Sequence, residues 1–480
     1  MRNPARLLLA ALALAGCAVG PNYRRPDVAV PDQLPGQAAQ AQAASLADQA
    51  WWDVFRDDAL RSLIAEALRR GYDVRIAAAR VEEERALAGI AHAGYYPQLQ
   101  ASAEWTRSRS SPFAAISAVP VSLYNVNLGL SWELDLWGRV RRLNEAALAQ
   151  YLATEDARRG VLLSLAAEVA TGYFNLRKLD LQLEIAKRSA GAFKETDDLF
   201  SRRLAGGAAS ALETASAEAT LAATTANIPN LERAIAAQEN QLDLLLGRNP
   251  GPIPRGAPLD DQFMPPEIPA GLPSQLLERR PDLRQAEHAL VEANAEVGVA
   301  TANMFPTISL TGAMGGVAPQ VSELFGDGKT WSIGAGLLTP IVQAGRLKHL
   351  RHAAAAQWEQ AKAGYQQSVT SAFAEVATAL VAYQKLDEVE RDQARAVAAY
   401  REAVRLSNLR YVAGLSDYLE VLQAQQQQLA AENSLAESRF ERLATLVELY
   451  KALGGGWKLS DDEWPGPTAP AGESTAKPSP

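Results

Sequence analysis

Tyr124-Asn125-Val126-Asn127-Leu128-Gly129-Leu130-Ser131-Trp132-Glu133-Leu134-Asp135-Leu136-Trp137 is the stretch on which the fold turns. Tyr124, Val126, Leu128, Leu130, Trp132, Leu134 and Leu136 form one series. Asn125, Asn127, Gly129, Ser131, Glu133 and Asp135 form the other. Successive side chains of a strand point to opposite faces, so this is a strand with one apolar and one polar side. Residues 98–106 alternate likewise, with Leu99, Ala101, Ala103 and Trp105 on the apolar side. Two glycine-richer stretches follow later, at 307–314 and 331–342. Strands are expected over about 97–110, 122–136, 306–315 and 331–342.

A bilayer-crossing strand takes about 9 to 11 tilted residues with one lipid-facing side. Residues 124–136 fit, with Tyr124, Trp132 and Trp137 near the ends. A soluble sandwich strand with one buried face would alternate in the same way, and the N-terminus favours the membrane reading. Arg2 and Arg6 precede the short apolar run 7–15, too short for a helix spanning about 30 Å. Leu14-Ala15-Gly16-Cys17 then resembles a bacterial lipoprotein box. That resemblance makes 1–16 a signal peptide and Cys17 the lipidated first residue of the mature chain. With Ala18 following, it directs the protein to the outer membrane. A covalent lipid on Cys17 is the only non-protein group expected, and one cysteine permits no disulfide within a chain. No later stretch is an uninterrupted apolar span of transmembrane length, so any crossing must use strands. The 47 Lys and Arg against 55 Asp and Glu give a net charge of −8, which argues against a nucleic-acid partner.

The chain repeats itself at a spacing of 207 to 209 residues. Tyr72-Asp73-Val74-Arg75 recurs as Pro281-Asp282-Leu283-Arg284, Tyr96-Pro97 as Phe305-Pro306, and Trp137-Gly138-Arg139 as Ala344-Gly345-Arg346. Ala167-Glu168-Val169-Ala170-Thr171 returns unchanged at 374–378. Ordered matches over most of each half mark a tandem duplication. Each half reads as helix, two strands, a very long helix, a glycine turn and a return helix. Residues near 57–93 read helical, with Leu60, Leu63, Ile64, Ala67 and Leu68 on one face. From about 139 to 204 Leu162, Leu165, Val169, Leu176, Leu179 and Leu183 step as a coiled-coil seam does. At 1.5 Å per residue that helix is on the order of 100 Å long. Gly206-Gly207 and Gly414 permit turns into return helices near 210–246 and 416–453. The expected division is a tether and equatorial segment at 17–56, repeat one at 57–250, a Pro-rich connector at 251–273, repeat two at 274–457, and a disordered tail at 458–480.

The fold class is therefore mainly α with a transmembrane β-barrel contribution. Four strands in lipid would leave two edges of unpaired N–H and C=O groups, each costing several kcal/mol or so. Closure takes at least about eight strands. Two copies would give a narrow filled barrel and three a twelve-stranded barrel with a lumen. Asn125, Asn127, Ser131, Glu133 and Asp135 would then face water. The long helices carry Arg158, Arg159, Glu168, Arg177, Lys178, Glu375, Lys385 and Glu388, so they belong in the periplasm.

The chain resembles the TolC-like outer-membrane factors of tripartite efflux systems, in their lipoprotein branch. The resemblance rests on Gly16-Cys17 followed by Gly20-Pro21-Asn22-Tyr23-Arg24-Arg25-Pro26, on Trp51-Trp52, on residues 132–139, on Glu278-Arg279-Arg280-Pro281-Asp282-Leu283-Arg284, and on Tyr411-Val412-Ala413-Gly414. It implies a homotrimer with a twelve-stranded barrel, a periplasmic α-helical barrel and an equatorial domain. It also implies a periplasmic adaptor and an inner-membrane transporter of the resistance-nodulation-division type as partners. Gly206, Gly207, Tyr411 and Gly414 then mark hairpin turns near the adaptor contact. The resemblance puts the periplasmic aperture just after the second turn, where Leu419 matches the constricting leucine. Gln423 stands where relatives often have aspartate, so an acidic ring would come from Glu420 or, second, Asp417; Glu213 is the first-half counterpart. Carboxylates gathered by symmetry can repel anions, bind a cation and resist closure by repulsion.

Other chemistry is not expected. His349 and His352 have i, i+3 spacing but no acidic or cysteine partner nearby, so no metal site follows. Gly334-Ala335-Gly336 lies in a strand pattern without a following helix start, and the glutamines at 423 and 425–428 read as a helix face. The reading is a non-enzymatic exit duct for small molecules such as drugs or toxic compounds. Type I protein secretion and metal-ion efflux use the same fold, and a periplasmic coiled-coil scaffold without a pore is the distant alternative.

Overall fold

The computed structural model describes residues 18–37, 45–109, 111, 113, 119–265, 268–460 and 462–466. Residues 1–17, with the signal peptide and Cys17, and 467–480 of the expected tail lie outside them. The helices are α1 (Trp51–Val54), α2 (Asp58–Arg70), α3 (Tyr72–Ala93), α4 (Arg139–Ala205), α5 (Ala211–Leu245), α6 (Leu276–Arg279), α7 (Pro281–Ala302), α8 (Arg346–Val412) and α9 (Tyr418–Ala452). The strands are β1 (Gln98–Ser108), β2 (Val121–Leu134), β3 (Thr307–Ala318) and β4 (Lys329–Leu338). The duplication is visible in the lengths. α3 and α7 have 22 residues each, α4 and α8 have 67, and α5 and α9 have 35.

The expected helix over 57–93 is two helices. Asp57 caps the first, accepting from the Leu60 N–H at 3.0 Å, and Gly71 ends it with an extended ψ of 137°. β4 stops at Leu338 rather than 342, just before Pro340, which has no N–H for a ladder. β2 stops at Leu134, so Asp135 is not a strand residue. β3 runs to Ala318, beyond the expected 315. Among the described residues no helix is long and apolar enough to cross a membrane.

The described chain divides into two compact units. One contains residues 18–27, 80–155 and 285–366; the other contains 28–79, 156–284 and 367–466. The first holds the sheet, antiparallel throughout in the order β1-β2-β3-β4. Residues 18–25 are strapped across α7 and the start of α4. The Val19 N–H donates to the Trp137 carbonyl at 3.0 Å, and Arg142 Nη2 to Asn22 Oδ1 at 2.7 Å. Asn294 Nδ2 donates to the Pro21 carbonyl at 3.0 Å, and Tyr23 and Arg25 both donate to Glu287.

The second unit has its core around Trp51, Leu60, Leu63, Ile64, Tyr173, Phe174, Leu242 and Tyr450, all buried. Asp57 ties the connector to this core, accepting from Tyr173 Oη at 3.0 Å, the Ala257 N–H at 3.0 Å and Gln262 Nε2 at 2.8 Å. The expected tether and tail are partly folded here. Leu34, Leu46 and Ala47 are buried. Trp464 is buried too, its carbonyl accepting from Trp51 Nε1 at 2.9 Å, so 462–466 is not loose chain. Two tryptophans supply the apolar area that holds it.

Candidate functional site

The residues singled out in the sequence fall in two regions, one in each unit. In the first, the register brings the apolar series of all four strands onto one face. Leu99, Ala101, Ala103 and Trp105 stand opposite Leu130, Leu128, Val126 and Tyr124. Those four face Gly312, Met314, Gly316 and Ala318, and Gly312 and Met314 face Ile333 and Trp331. The opposite face carries Gln98, Gln100, Ser102 and Glu104, then Asn125, Asn127, Ser131 and Glu133, then Ser309 and Thr311, then Ser332. Burying this apolar face in the same chain would require a second layer, yet Leu99, Trp105, Trp331, Ile333 and Leu337 are all exposed. A face this apolar and this large marks a surface made for another apolar medium.

The base of β2 is fixed by polar contacts. Glu133 holds Arg139 through two hydrogen bonds, of 2.8 and 2.6 Å. The Asp135 carboxylate accepts the backbone N–H groups of Val140 at 2.9 Å and Arg141 at 3.0 Å, where the positive end of the α4 dipole favours an anion. Asp135 therefore starts a helix, and of the predicted polar strand set only Asn125, Asn127, Ser131 and Glu133 lie in β2. Gly138 makes the turn between them with φ +79°, as its repeat counterpart Gly345 does with φ +84°. Trp137 stacks on Phe305 at 4.9 Å and donates through Nε1 to the Pro306 carbonyl at 2.7 Å.

In the second unit, the hairpins α4–α5 and α8–α9 end in matching turns. Gly207 (φ +72°) and Gly414 (φ +71°) adopt the left-handed conformation, and the next N–H of each turn, from Ala208 and Leu415, reaches back to the carbonyls of Arg203 and Arg410. Ser210 caps α5 in a reciprocal arrangement with Glu213, and Asp417 caps α9 by accepting from the Glu420 N–H at 3.2 Å. Asp417 thus has a structural task. Glu420 is exposed and ion-paired with Arg410 at 3.2 Å, while Leu419 and Gln423 are exposed and uncovered within the chain.

What holds the hairpin ends together is a cluster that the sequence reading missed. Phe193 and Phe200 from α4, Ala217 from α5, and Tyr418, Val421 and Leu422 from α9 are buried together, with Tyr411 packed against them. The Tyr418 ring lies 4.5 Å from that of Phe200 and 5.2 Å from that of Tyr411. Its hydroxyl shares a hydrogen bond of 2.8 Å with Thr196, and burial pushes the phenol above its ordinary pKa. Arg203 donates to the Tyr411 hydroxyl and lies over its ring. The seven-residue spacing of Phe193 and Phe200 was the available signal. Farther along, Glu432 of α9 is buried between Arg188 of α4 and Arg401 of α8, and accepts from Gln428 at 3.1 Å. Burial works to raise its pKa, but Gln428, Arg401 and Arg188 outweigh that and hold the carboxyl below the usual range.

The arginine-rich 278–284 motif is also structural. Arg280 is buried and donates to Asp282, Glu375 and the Ala452 carbonyl, and Arg279 lies over the Trp457 ring.

Residues 63–248 and 272–455 match the outer membrane efflux protein family, one match to each repeat. The chain is 34% identical over 462 residues to the cation efflux system protein CusC of Escherichia coli K12, covering 95% of this chain and 100% of that one. It is 36% identical over 467 residues to the toluene efflux pump outer membrane protein TtgI of Pseudomonas putida, covering 95% and 98%. The open state of the MtrE outer membrane channel of Neisseria gonorrhoeae superposes with a TM-score of 0.83 at 35% identity, over 92% of this chain and 99% of that one. With this sheet, these paired long hairpins and these relatives, the chain belongs to the outer membrane efflux protein family and is an outer-membrane channel subunit of an efflux system.

Proposed function

We propose that three copies of the chain close a twelve-stranded barrel continued by a helical barrel. The assembly is the passive exit duct of a tripartite pump for small organic molecules such as drugs or toxic compounds. One observation carries this: a four-stranded antiparallel sheet with an apolar face and two unpaired edges. Four alternating strands leave β4 of one copy antiparallel to β1 of the next, so copies add head to tail without a break in direction. Three copies are the smallest number that leaves a lumen. A lipid on Cys17 anchors each copy. A periplasmic adaptor meets the hairpin turns at Gly206, Gly207, Tyr411 and Gly414. An inner-membrane transporter of the resistance-nodulation-division type supplies energy and selects cargo.

The hairpin ends form the aperture in this reading. Leu419 supplies the apolar constriction, Glu420 the acidic ring and Gln423 a neutral position. Purified protein in planar lipid should conduct as a trimer, with cation block weakened by Glu420→Gln. A strain lacking the gene should gain sensitivity to organic solvents and antibiotics. The likeness to CusC supports a second reading, metal-cation efflux. Sensitivity to metal salts alone would select it, and monomeric, non-conducting protein would refute both.

A further inference from the structure

The duplication allows the base of the sheet to be compared with itself. At the start of α4 two arginines are neutralised, Arg139 by Glu133 at 2.6 Å and Arg141 by Asp135 at 3.2 Å. An offset of 207 residues carries them to Arg346 and Lys348 at the start of α8, so both cations are kept. The same offset carries Glu133 and Asp135 to Pro340 and Val342, so both acids are gone. It also turns Asn144 into a further cation, Arg351. No Asp or Glu stands between Asp327 and Glu359, nor in residues 297–305 at the end of α7. Among the described residues, Arg346, Lys348 and Arg351 are exposed and none has a carboxylate partner.

The three cations are divided between two sides. Arg139 reaches Glu133, which belongs to the polar face of the sheet, and the repeat puts Arg346 on that side as well. With 3.6 residues per turn, Lys348 and Arg351 lie about 200° and about 140° around the helix from Arg346. They therefore share the opposite side, that of the apolar face. Just before them the chain leaves the sheet through Leu338, Ile341 and Val342, which are 74%, 89% and 86% exposed. Arg351 stands only about 8 Å along the axis of α8. Lysine and arginine side chains reach back over such a distance to a polar boundary while their stems lie on apolar surface. An exposed apolar turn followed by two unneutralised cations on one side complements acyl chains capped by anionic head groups.

We propose that Lys348 and Arg351 hold the phosphate of an anionic phospholipid in the membrane leaflet that faces the helices, while Ile341 and Val342 meet its acyl chains; this rests on the barrel proposed above. In that barrel α3 of the next copy lies beside α8. Residues 86–97, at and beyond the end of α3, contain no acid, so assembly leaves the charge in place. Repeat one has no such site, because Asp135 already holds Arg141 and Asn144 is neutral. A trimer would carry three such sites, one at each α8, rather than six.

The test is lipid retention by the full-length trimer in neutral detergent, read by native mass spectrometry. The probes are dioleoylphosphatidylglycerol, dioleoylphosphatidylcholine and inorganic phosphate. Each lysine or arginine near an anionic surface contributes about fivefold in affinity. The trimer should retain three phosphatidylglycerols in preference to phosphatidylcholine. Lys348→Gln combined with Arg351→Gln should weaken that retention about 25-fold with the trimer intact. Val342→Asp, which restores an acid where repeat one has Asp135, should weaken it about fivefold. Arg346→Gln, on the other side of the helix, should leave it unchanged. Equal retention of the two lipids by a conducting trimer would overturn the lipid site and leave the duct standing, as would a doubly substituted trimer that kept the preference. Phosphate that bound as tightly as phosphatidylglycerol would reduce the site to one for the free ion and overturn it too. Protein that stayed monomeric would remove the barrel, and this site with it.

Discussion

Tyr418 and Glu420 are two residues apart, and their contacts give them very different weights in holding the two hairpin ends together. Tyr418 is 5% exposed, with its ring against Phe200 and Tyr411 and its hydroxyl bonded to Thr196 at 2.8 Å. Removing such an aromatic ring costs about 3–5 kcal/mol. Removing only the hydroxyl, as in Tyr418→Phe, costs about 1 kcal/mol. The Arg410–Glu420 pair has side chains 54% and 45% exposed, which puts it in the range of about 0.2–1 kcal/mol. If these contacts break on opening, about 1 kcal/mol is roughly a fivefold change in the open-to-closed ratio. Single-channel open probability should therefore rise about fivefold in Tyr418→Phe, equally at 0.15 M and 1 M salt. Glu420→Gln should give at most a similar change at the lower salt, since losing the Arg410 pair favours opening while relieving repulsion in the ring favours closure. It should give none at 1 M, where the Debye length is about 3 Å. A Glu420→Gln effect that exceeded that of Tyr418→Phe and survived high salt would refute the ranking, and with it the apolar cluster as the closing element.

Three further outcomes follow from other parts of the chain. Glu432 has a carboxyl pKa below its ordinary value, so its contribution is present above about pH 4.3 and is lost as pH falls through the folded value. Urea midpoints followed from pH 7 to pH 3 should drop less steeply in Glu432→Gln, which should also be weaker at neutral pH by about 1–3 kcal/mol; parallel curves would refute this. The glycines divide by cause. Gly414→Ala meets nothing within 4 Å and should cost only the left-handed backbone penalty of about 1–2 kcal/mol. A Cβ on Gly315 would sit 2.0 Å from the Val126 carbonyl oxygen, so Gly315→Ala should yield no heat-resistant trimer on a gel.

Much of the fold was legible because lipid and water lie on opposite sides of the sheet, so the period of two in residues 124–134 had no competing demand. The long helices were legible for a related reason: each presents a narrow stripe, and glycines at 207 and 414 end the hairpins. The misreadings came where one residue serves a local need. Asp135 continues the polar series of β2 in sequence, yet two helix N–H groups claim its carboxylate. Asp417 has the charge of a ring residue and serves as a cap as well, a task that the sequence reading did not give it. Residues 462–466 look like tail by composition, but two tryptophans more than four hundred positions apart hold them. Tyr418 was passed over because Phe193, Phe200 and Ala217 of its cluster come from the other hairpin, and only the seven-residue spacing of the two phenylalanines hinted at it.

The hairpin contacts also bear on the opening proposed for the aperture. Between α4 and the helices of the second hairpin, the polar links are Lys178–Glu437 at 3.1 Å, Arg188–Glu432, Thr196–Tyr418 and Arg203–Tyr411. Lys187 meanwhile pairs with Glu232 within the first hairpin at 3.1 Å. Glu437 and Arg188 reach water, so their links exchange protein partners for water at modest net cost, with the one that ends on buried Glu432 the dearer of the two. A continuous apolar seam of the same length would instead lose about 25 cal/mol for every Å² uncovered. Separating the two hairpins is therefore cheap along the polar stretch and costly at the Phe193–Phe200–Tyr418 cluster. A binding partner that engaged the turns at Gly207 and Gly414 would act where the cost is concentrated. On the proposed reading of the aperture, control of the opening therefore sits at the ends of the hairpins, where that cluster lies.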